Sequence, residues 1–298
     1  MSVYVFIVLS PSGGRRASTT VLTIHDSARG RVVAFLQQRM TLGEMRSLLA
    51  AEGLRLTRSL GQNFLHDANQ LRRIVALAEI APGDRVLEIG PGLGPLTRQL
   101  LDAGARVVAV EKDARLIPLL QRTLGPQPHL ELVHADALDW LATSPGLESP
   151  WKVAANLPYS VGSRLLVDLA SLPAPPSSMT VTLQAEVVDR LRALPGTEAY
   201  GLLTLLLART YTPGPAFRIP ATCFFPPPDV ASACIRLERR PVPLISGPEA
   251  GVYEALLKLA FTQRRKQLAK VLRTAWPEDA IRRAFDTLGL APDARAET

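Results

Sequence analysis

The run VAANLPYSVG at residues 153–162 carries small apolar residues into Asn156, Leu157, Pro158 and Tyr159. An amide that donates and accepts, a main-chain carbonyl, a ring that fixes the turn without an N–H, and an aromatic face follow one another there. Strand ends are where α/β folds bind ligands, and this corner reads as one. Three more residues or motifs stand at such ends. EIGPGLG places Gly90, Gly92 and Gly94 directly after an apolar run, where small residues let backbone approach a ligand closely. The spacing is GxGxG rather than GxGxxG, and Pro91 and Pro95 remove two N–H groups that could hold a pyrophosphate, which argues against NAD. Glu111 closes the next apolar run, about twenty residues on, where a carboxylate can accept both hydroxyls of a ribose. Asp136 closes the third, placed to accept from the exocyclic amine of an adenine. Two carboxylates and an open glycine turn with no phosphate cradle suit S-adenosyl-L-methionine.

The elements that must position these residues follow from periodicity. Short apolar runs at 85–90, 106–111, 130–136, 152–158 and 179–184 alternate with helically spaced stretches such as LTRQLLDAG, which ends on a capping Gly104. YGLLTLLLARTY and DVASACIRLER read as two further strands, the first ambiguous with a helix because it is so rich in leucine. The fold class is therefore α/β: a doubly wound, seven-stranded, Rossmann-like sheet with helices on both faces. Residues 44–80 supply a helical lead-in, with GQNFL at 61–65 as a loop. Residues 246–298 carry helical spacing alone and form a small all-helical domain after 44–245.

The chain has 298 residues and a formal charge of +7, so an acidic partner is expected. Residues 1–75 hold +6 of that and residues 251–298 hold +3, which leaves the middle at −2. Two cysteines, Cys223 and Cys234, are too few for a disulfide framework and lack metal-site spacing, so reduced thiols and no metal are expected. MSVYVFIVLS is too short to span a bilayer and has no basic residue ahead of it, so neither membrane insertion nor secretion is expected and the cytoplasm is the default. Residues 1–43 read as a disordered extension, with Met40 and Met45 as candidate starts.

GQNFL, EIGPGLG, VEKD, HADAL, ANLPYSVGSRLL, LQAEVVDRL, AYGLLTLLL, FFPPPDVASACIRL and AFTQRRKQL occur in this order. Together they resemble the small-subunit ribosomal RNA adenine dimethyltransferase family, in register from about residue 44 to 297. That resemblance implies methyl transfer from S-adenosyl-L-methionine to N6 of two adjacent adenosines near the 3′ end of small-subunit ribosomal RNA, in an immature 30S particle, by a monomer. Asn156-Leu157-Pro158-Tyr159 is similar to the Asn-or-Asp-Pro-Pro-Tyr corner of enzymes that methylate exocyclic amines. The Asn156 amide oxygen and the Leu157 carbonyl would take the N6 hydrogens, and Tyr159 would stack on the base. Phe224 matches the aromatic that closes the base's other face. Asn63 and Leu65 match positions that cover the cofactor, beside Gly90, Gly92, Glu111, Asp136 and Asn156.

TQRRKQLAKVLR reads as one continuous helix with no acid. Lys266, Lys270 and Arg273 would share a face of it, and Arg264, Arg265, Lys266 and Lys270 are the expected RNA contacts. In LQAEVV, Ala185 stands where the family commonly has Lys. Two other readings stay open: the large-subunit adenine dimethyltransferases of macrolide resistance, and a non-catalytic ribosome-assembly factor.

Overall fold

The structure is a computed structural model that describes residues 40–54, 62–143 and 150–297. The expected extension at 1–43 lies outside those residues except for its last four. Helix α1 (Leu42–Ala51) opens on a capping box, in which the Thr41 hydroxyl accepts from the Glu44 N–H and the Glu44 carboxylate accepts from the Thr41 N–H. Then come β1 (Phe64–Leu65), α2 (Ala68–Leu77), β2 (Arg85–Ile89), α3 (Pro95–Asp102), β3 (Arg106–Glu111), α4 (Leu116–Leu124), β4 (Leu130–His134), α5 (Ala137–Thr143) and β5 (Lys152–Asn156). The chain goes on through α6 (Gly162–Ala170), β6 (Ser178–Gln184), α7 (Ala185–Leu191), α8 (Leu202–Ala208), β7 (Tyr211–Ile219), β8 (Phe224–Phe225) and β9 (Ser232–Arg239). Three helices finish it: α9 (Glu249–Thr262), α10 (Leu268–Leu272) and α11 (Glu278–Leu288).

The seven-stranded sheet runs β4-β3-β2-β5-β6-β9-β7, with the five strands from β4 to β6 parallel. The chain enters this sheet at β2, winds outward through β3 and β4, then returns to build β5 and β6 on the other side. That reversal puts a topological switch point between the carboxyl ends of β2 and β5, where doubly wound folds bind ligands. The glycine turn follows β2 and the NLPY corner follows β5, so topology alone brings them together.

One of the seven strands is not where the periodicity puts it. The leucine run is helix α8, consistent with leucine's strong helix propensity, and Tyr253 donates to the Leu205 carbonyl at 3.2 Å. The seventh strand is YTPGPAFRI, which holds Pro213 and Pro215. Prolines cannot donate to a ladder, and β7 tolerates them because it is the edge strand. GQNFL is also more than a loop: Phe64 and Leu65 pair antiparallel with Phe225 and Phe224.

The described residues form two compact units. One runs to Ala185 and includes Gly214–Leu237; the other is Glu186–Pro213 with Glu238 onward. In the first, Leu65, Ile74, Val86, Leu100, Val107 and Phe224 share one buried cluster, while Met45, Leu49, Phe64, Leu93 and Leu116 share another. In the second, Leu272, Ile281 and Phe285 form the core, so this unit extends beyond 246–298 to take in α8. Cys223 and Cys234 are buried free thiols, and no described helix is long and apolar enough to cross a membrane.

Candidate active site

The crevice at the switch point lies wholly within the first unit. Its walls include Asn63, Gly90, Gly92, Glu111, Asp136, Asn156, Leu157, Pro158 and Tyr159, nine of the residues singled out from sequence. Gly92 has φ +62, and a Cβ there would stand 2.7 Å from the Phe64 ring. Glycine is required on both counts.

Glu111 is 6% exposed, and each carboxylate oxygen already accepts one backbone N–H: Oε2 from Gly92 at 3.1 Å and Oε1 from Asp113 at 2.8 Å. Burial pushes its pKa up, and hydrogen bonds from the Asp113, Gly92 and Lys112 backbone N–H groups oppose the rise. The carboxylate lines the crevice, where it can accept from a ligand hydroxyl. Asp136 caps α5 by accepting from the Leu138 N–H at 2.9 Å. Its other oxygen meets Lys112 Nζ at 2.7 Å, and that ammonium holds the carboxyl below its usual range. Cap and ligand acceptor are compatible roles for this residue.

The NLPY corner is pinned at three points. Asn156 Nδ2 donates to the Asn63 carbonyl at 2.9 Å, the Leu157 N–H donates to the Thr182 carbonyl at 3.1 Å, and the Tyr159 hydroxyl is hydrogen-bonded to the Ser232 hydroxyl. Because the Asn156 NH₂ group is tied to Asn63, its Oδ1 is left as the free end, buried and without a donor among the described residues. A buried acceptor with no partner is costly unless a ligand satisfies it. The Leu157 side chain is packed away, so only its main chain serves the crevice.

Two expected site residues are not brought there. Phe224 and Leu65, each 2% exposed, are cross-strand partners that face the apolar core. The reason is strand alternation: successive side chains point to opposite faces, so Phe64 turns toward the crevice while Leu65 turns inward. Phe64 lies against the glycine turn, and Phe225, under the Arg46 guanidinium at 5.1 Å, packs with the Met45 cluster. Sequence reasoning missed Phe64 and also Ser232, Lys112 and Gln62, whose Nε2 donates to Asp113 at 2.9 Å. Ser232 and Lys112 lie inside FFPPPDVASACIRL and VEKD, yet nothing in spacing says what they touch across the fold.

The basic stretch differs too. Helix α9 ends at Thr262, Gln263 leaves helical geometry at φ −133 and ψ 56, and a turn runs to α10, so the stretch is not one helix. Arg264 is spent on structure, donating to the Glu198 carbonyl at 2.7 Å and the Thr197 carbonyl at 3.0 Å. Arg273 pairs with Glu278 at 2.8 Å. Arg265, Lys266 and Lys270 do come together, around one concavity with Gln263 and Gln267. Ala185 is buried, and its N–H donates to the Ala231 carbonyl at 2.8 Å. Among the described residues no cluster of His, Cys, Asp or Glu could hold a metal ion.

Sheet order, glycine turn and strand-end carboxylates together define a Rossmann-like methyltransferase. Residues 53–298 match the ribosomal RNA adenine dimethylase family. A ribosomal RNA small subunit methyltransferase A from Phenylobacterium zucineum is 45% identical over 262 residues, which cover 86% of this chain and 88% of that protein. Among solved structures, the 23S rRNA methyltransferase ErmE is 31% identical with TM-score 0.62, covering 79% of this chain and 93% of its own. A dimethyladenosine transferase from Plasmodium falciparum, 22% identical with TM-score 0.65 over 78% of this chain and 91% of its own, shares the fold. The chain belongs to the ribosomal RNA adenine dimethylase family.

Proposed function

We propose that this chain transfers methyl groups from S-adenosylmethionine to N6 of adenosines in small-subunit ribosomal RNA, two to each nitrogen. The observation that carries the proposal is the Asn156 amide: its NH₂ is anchored on Asn63 and its oxygen is buried at the crevice without a donor among the described residues. An adenine N6 supplies the missing N–H.

The residues present fit the cofactor. Glu111 lines the crevice with a carboxylate for ribose hydroxyls, Asp136 stands at the next strand end for the adenine amine, and Gly90 and Gly92 line the same crevice. When bound, S-adenosylmethionine supplies a sulfonium-activated methyl group. The chain's own residues then position the acceptor nitrogen. An adenine N6 lone pair is delocalised into the ring; acceptors at Asn156 Oδ1 and the Leu157 carbonyl favour the pyramidal geometry that frees it. Tyr159 stacks on the extruded base, an interaction worth roughly 1–3 kcal/mol. Positioning and electrostatics carry the rate, with no shifted general base. Asn is neutral, so it tolerates the methyl that replaces one hydrogen after the first transfer. Arg265, Lys266 and Lys270 contact RNA phosphates.

The preference for small-subunit RNA is supported by the 45% identity to a small-subunit enzyme against 31% to a large-subunit one. The test is transfer of tritium from labelled S-adenosylmethionine to immature small subunits or to large-subunit RNA. Label in the small-subunit adenosines is expected. Label in large-subunit RNA alone, or in neither, overturns the proposal.

A further inference from the structure

The FFPPPDVAS motif meets the NLPY corner through a side-chain hydrogen bond. Ser232, the first residue of β9, is 0% exposed, and its hydroxyl is hydrogen-bonded to that of Tyr159, 73 positions earlier in the chain. The other two pins of the corner hold the Asn156 amide and the Leu157 main chain. Neither reaches the Tyr159 ring, which lines the crevice.

We propose that Ser232 is a positioning residue for the methyl acceptor: its buried hydroxyl anchors the far end of the Tyr159 ring against which the target adenine stacks, and this matters most for the second methyl transfer. The inference rests on the reading of Tyr159 as the stacking surface. The phenol oxygen lies on the axis about which the ring turns, so a hydrogen bond there holds the direction of the side chain and the position of the ring's far end, which the first torsion would otherwise let swing. Ser232 suits the task because it is small and buried, so solvent does not compete for the phenol. Each transfer would form an N6–carbon bond as the sulfonium–carbon bond breaks to leave a neutral thioether, and the surplus N6 proton would pass to water. Before the first transfer the N6 group has two hydrogens for two acceptors. After it, one hydrogen remains and one acceptor no longer holds the base. Stacking then carries a larger share of the positioning, and a loosened ring releases monomethylated adenosine before the second transfer.

The test uses the full-length protein with Ser232→Ala, Tyr159→Phe, their double variant, and Tyr159→Ala. Ser232→Ala and Tyr159→Phe remove the same hydrogen bond from opposite ends. Each should lower kcat/KM on the RNA by about fivefold, as deletion of one neutral buried hydrogen bond implies. The double variant should be no worse than either single one. S-adenosylhomocysteine affinity, measured by calorimetry, should stay unchanged. At matched consumption of adenosine, mass spectrometry should show the product shifted from dimethyladenosine toward monomethyladenosine. The inference is overturned if Tyr159→Ala is impaired while Ser232→Ala keeps wild-type rate and product ratio, if the two single losses add, or if Ser232→Ala lowers stability and rate together at an unchanged ratio. If Tyr159→Ala itself turns over normally, the stacking reading has failed instead.

Discussion

Replacing Gly92 with alanine strikes the crevice where the backbone of the glycine turn meets the Phe64 side chain. The residue has φ +62, a region that costs a non-glycine residue about 1–2 kcal/mol. The new methyl carbon would stand 2.7 Å from Phe64 Cδ1 and Cε1. Ordinary carbon contacts begin near 3.5 Å, so the ring must retreat by roughly 1 Å. Met45, Leu49, Leu93 and Leu116 pack in the same cluster as Phe64, which leaves the crevice as the open direction. Forcing a methyl into such a site costs about 1–3 kcal/mol. Together the two effects predict a loss of roughly 2–5 kcal/mol in stability and a Tm lowered by about 5–15 °C. The displaced ring would enter the crevice proposed to hold the cofactor, so calorimetry should show S-adenosylhomocysteine binding weakened by at least about tenfold. Adding Phe64→Leu relieves the clash but not the backbone strain, and should recover part of the affinity. A Gly92→Ala protein that melts and binds like the parent would refute this reasoning.

Other expectations follow from the same geometry. Phe224→Ala should act through the core, costing about 3–5 kcal/mol in denaturant unfolding, with kcat per folded molecule nearly unchanged; a collapse of kcat without destabilisation would restore Phe224 to the crevice. Glu88 is 1% exposed, and burial, reinforced by the nearby Glu111 charge, pushes its pKa up to about 8 from 4.5. Between those two values the folded state holds a proton that the unfolded chain has released, so Glu88 makes stability fall as pH rises, by up to about 1.4 kcal/mol per pH unit. Tm measured from pH 5 to 8 should therefore decline less steeply in Glu88→Gln, and identical slopes would contradict the shift. Neutralising Arg265, Lys266 or Lys270 should weaken RNA binding at all sequences and reduce the slope of log affinity against log salt by about 0.7–0.9 for each phosphate that is no longer neutralised. The same change at Arg264 should appear as reduced thermal stability, because its guanidinium is committed to the Thr197 and Glu198 carbonyls.

Much of this was legible in the chain because period-2 and period-3.6 patterns are local. The five parallel strands fall within two residues of the apolar runs that mark them, and strand ends with chemistry at the switch point are a consequence of their order. What local pattern could not resolve was the meaning of YGLLTLLLARTY and YTPGPAFRI, because leucines suit either state and two prolines disguise a strand that only its edge position permits. The break after Thr262 was hidden similarly, by residues that are mostly good helix formers. In the crevice, Asn156, Glu111 and Asp136 were readable because they stand at strand ends. That Phe64 faces the crevice and Phe224 the core was not, since it depends on a two-residue pairing between segments about 160 positions apart, whose register decides which face each ring takes. Ser232 was out of reach for the same reason: its partner lies across the fold.

The most direct measurement is single-turnover methyl transfer by Asn156→Ala to immature small subunits, alongside S-adenosylhomocysteine affinity. Removing the buried acceptor that is proposed to hold the reacting nitrogen should slow transfer by about 10²–10³-fold, the scale seen when a preorganised transition-state hydrogen bond is deleted, while affinity stays within about fivefold. Undiminished transfer by Asn156→Ala would mean that the amide oxygen does not hold the target base, and the account of this crevice would fail.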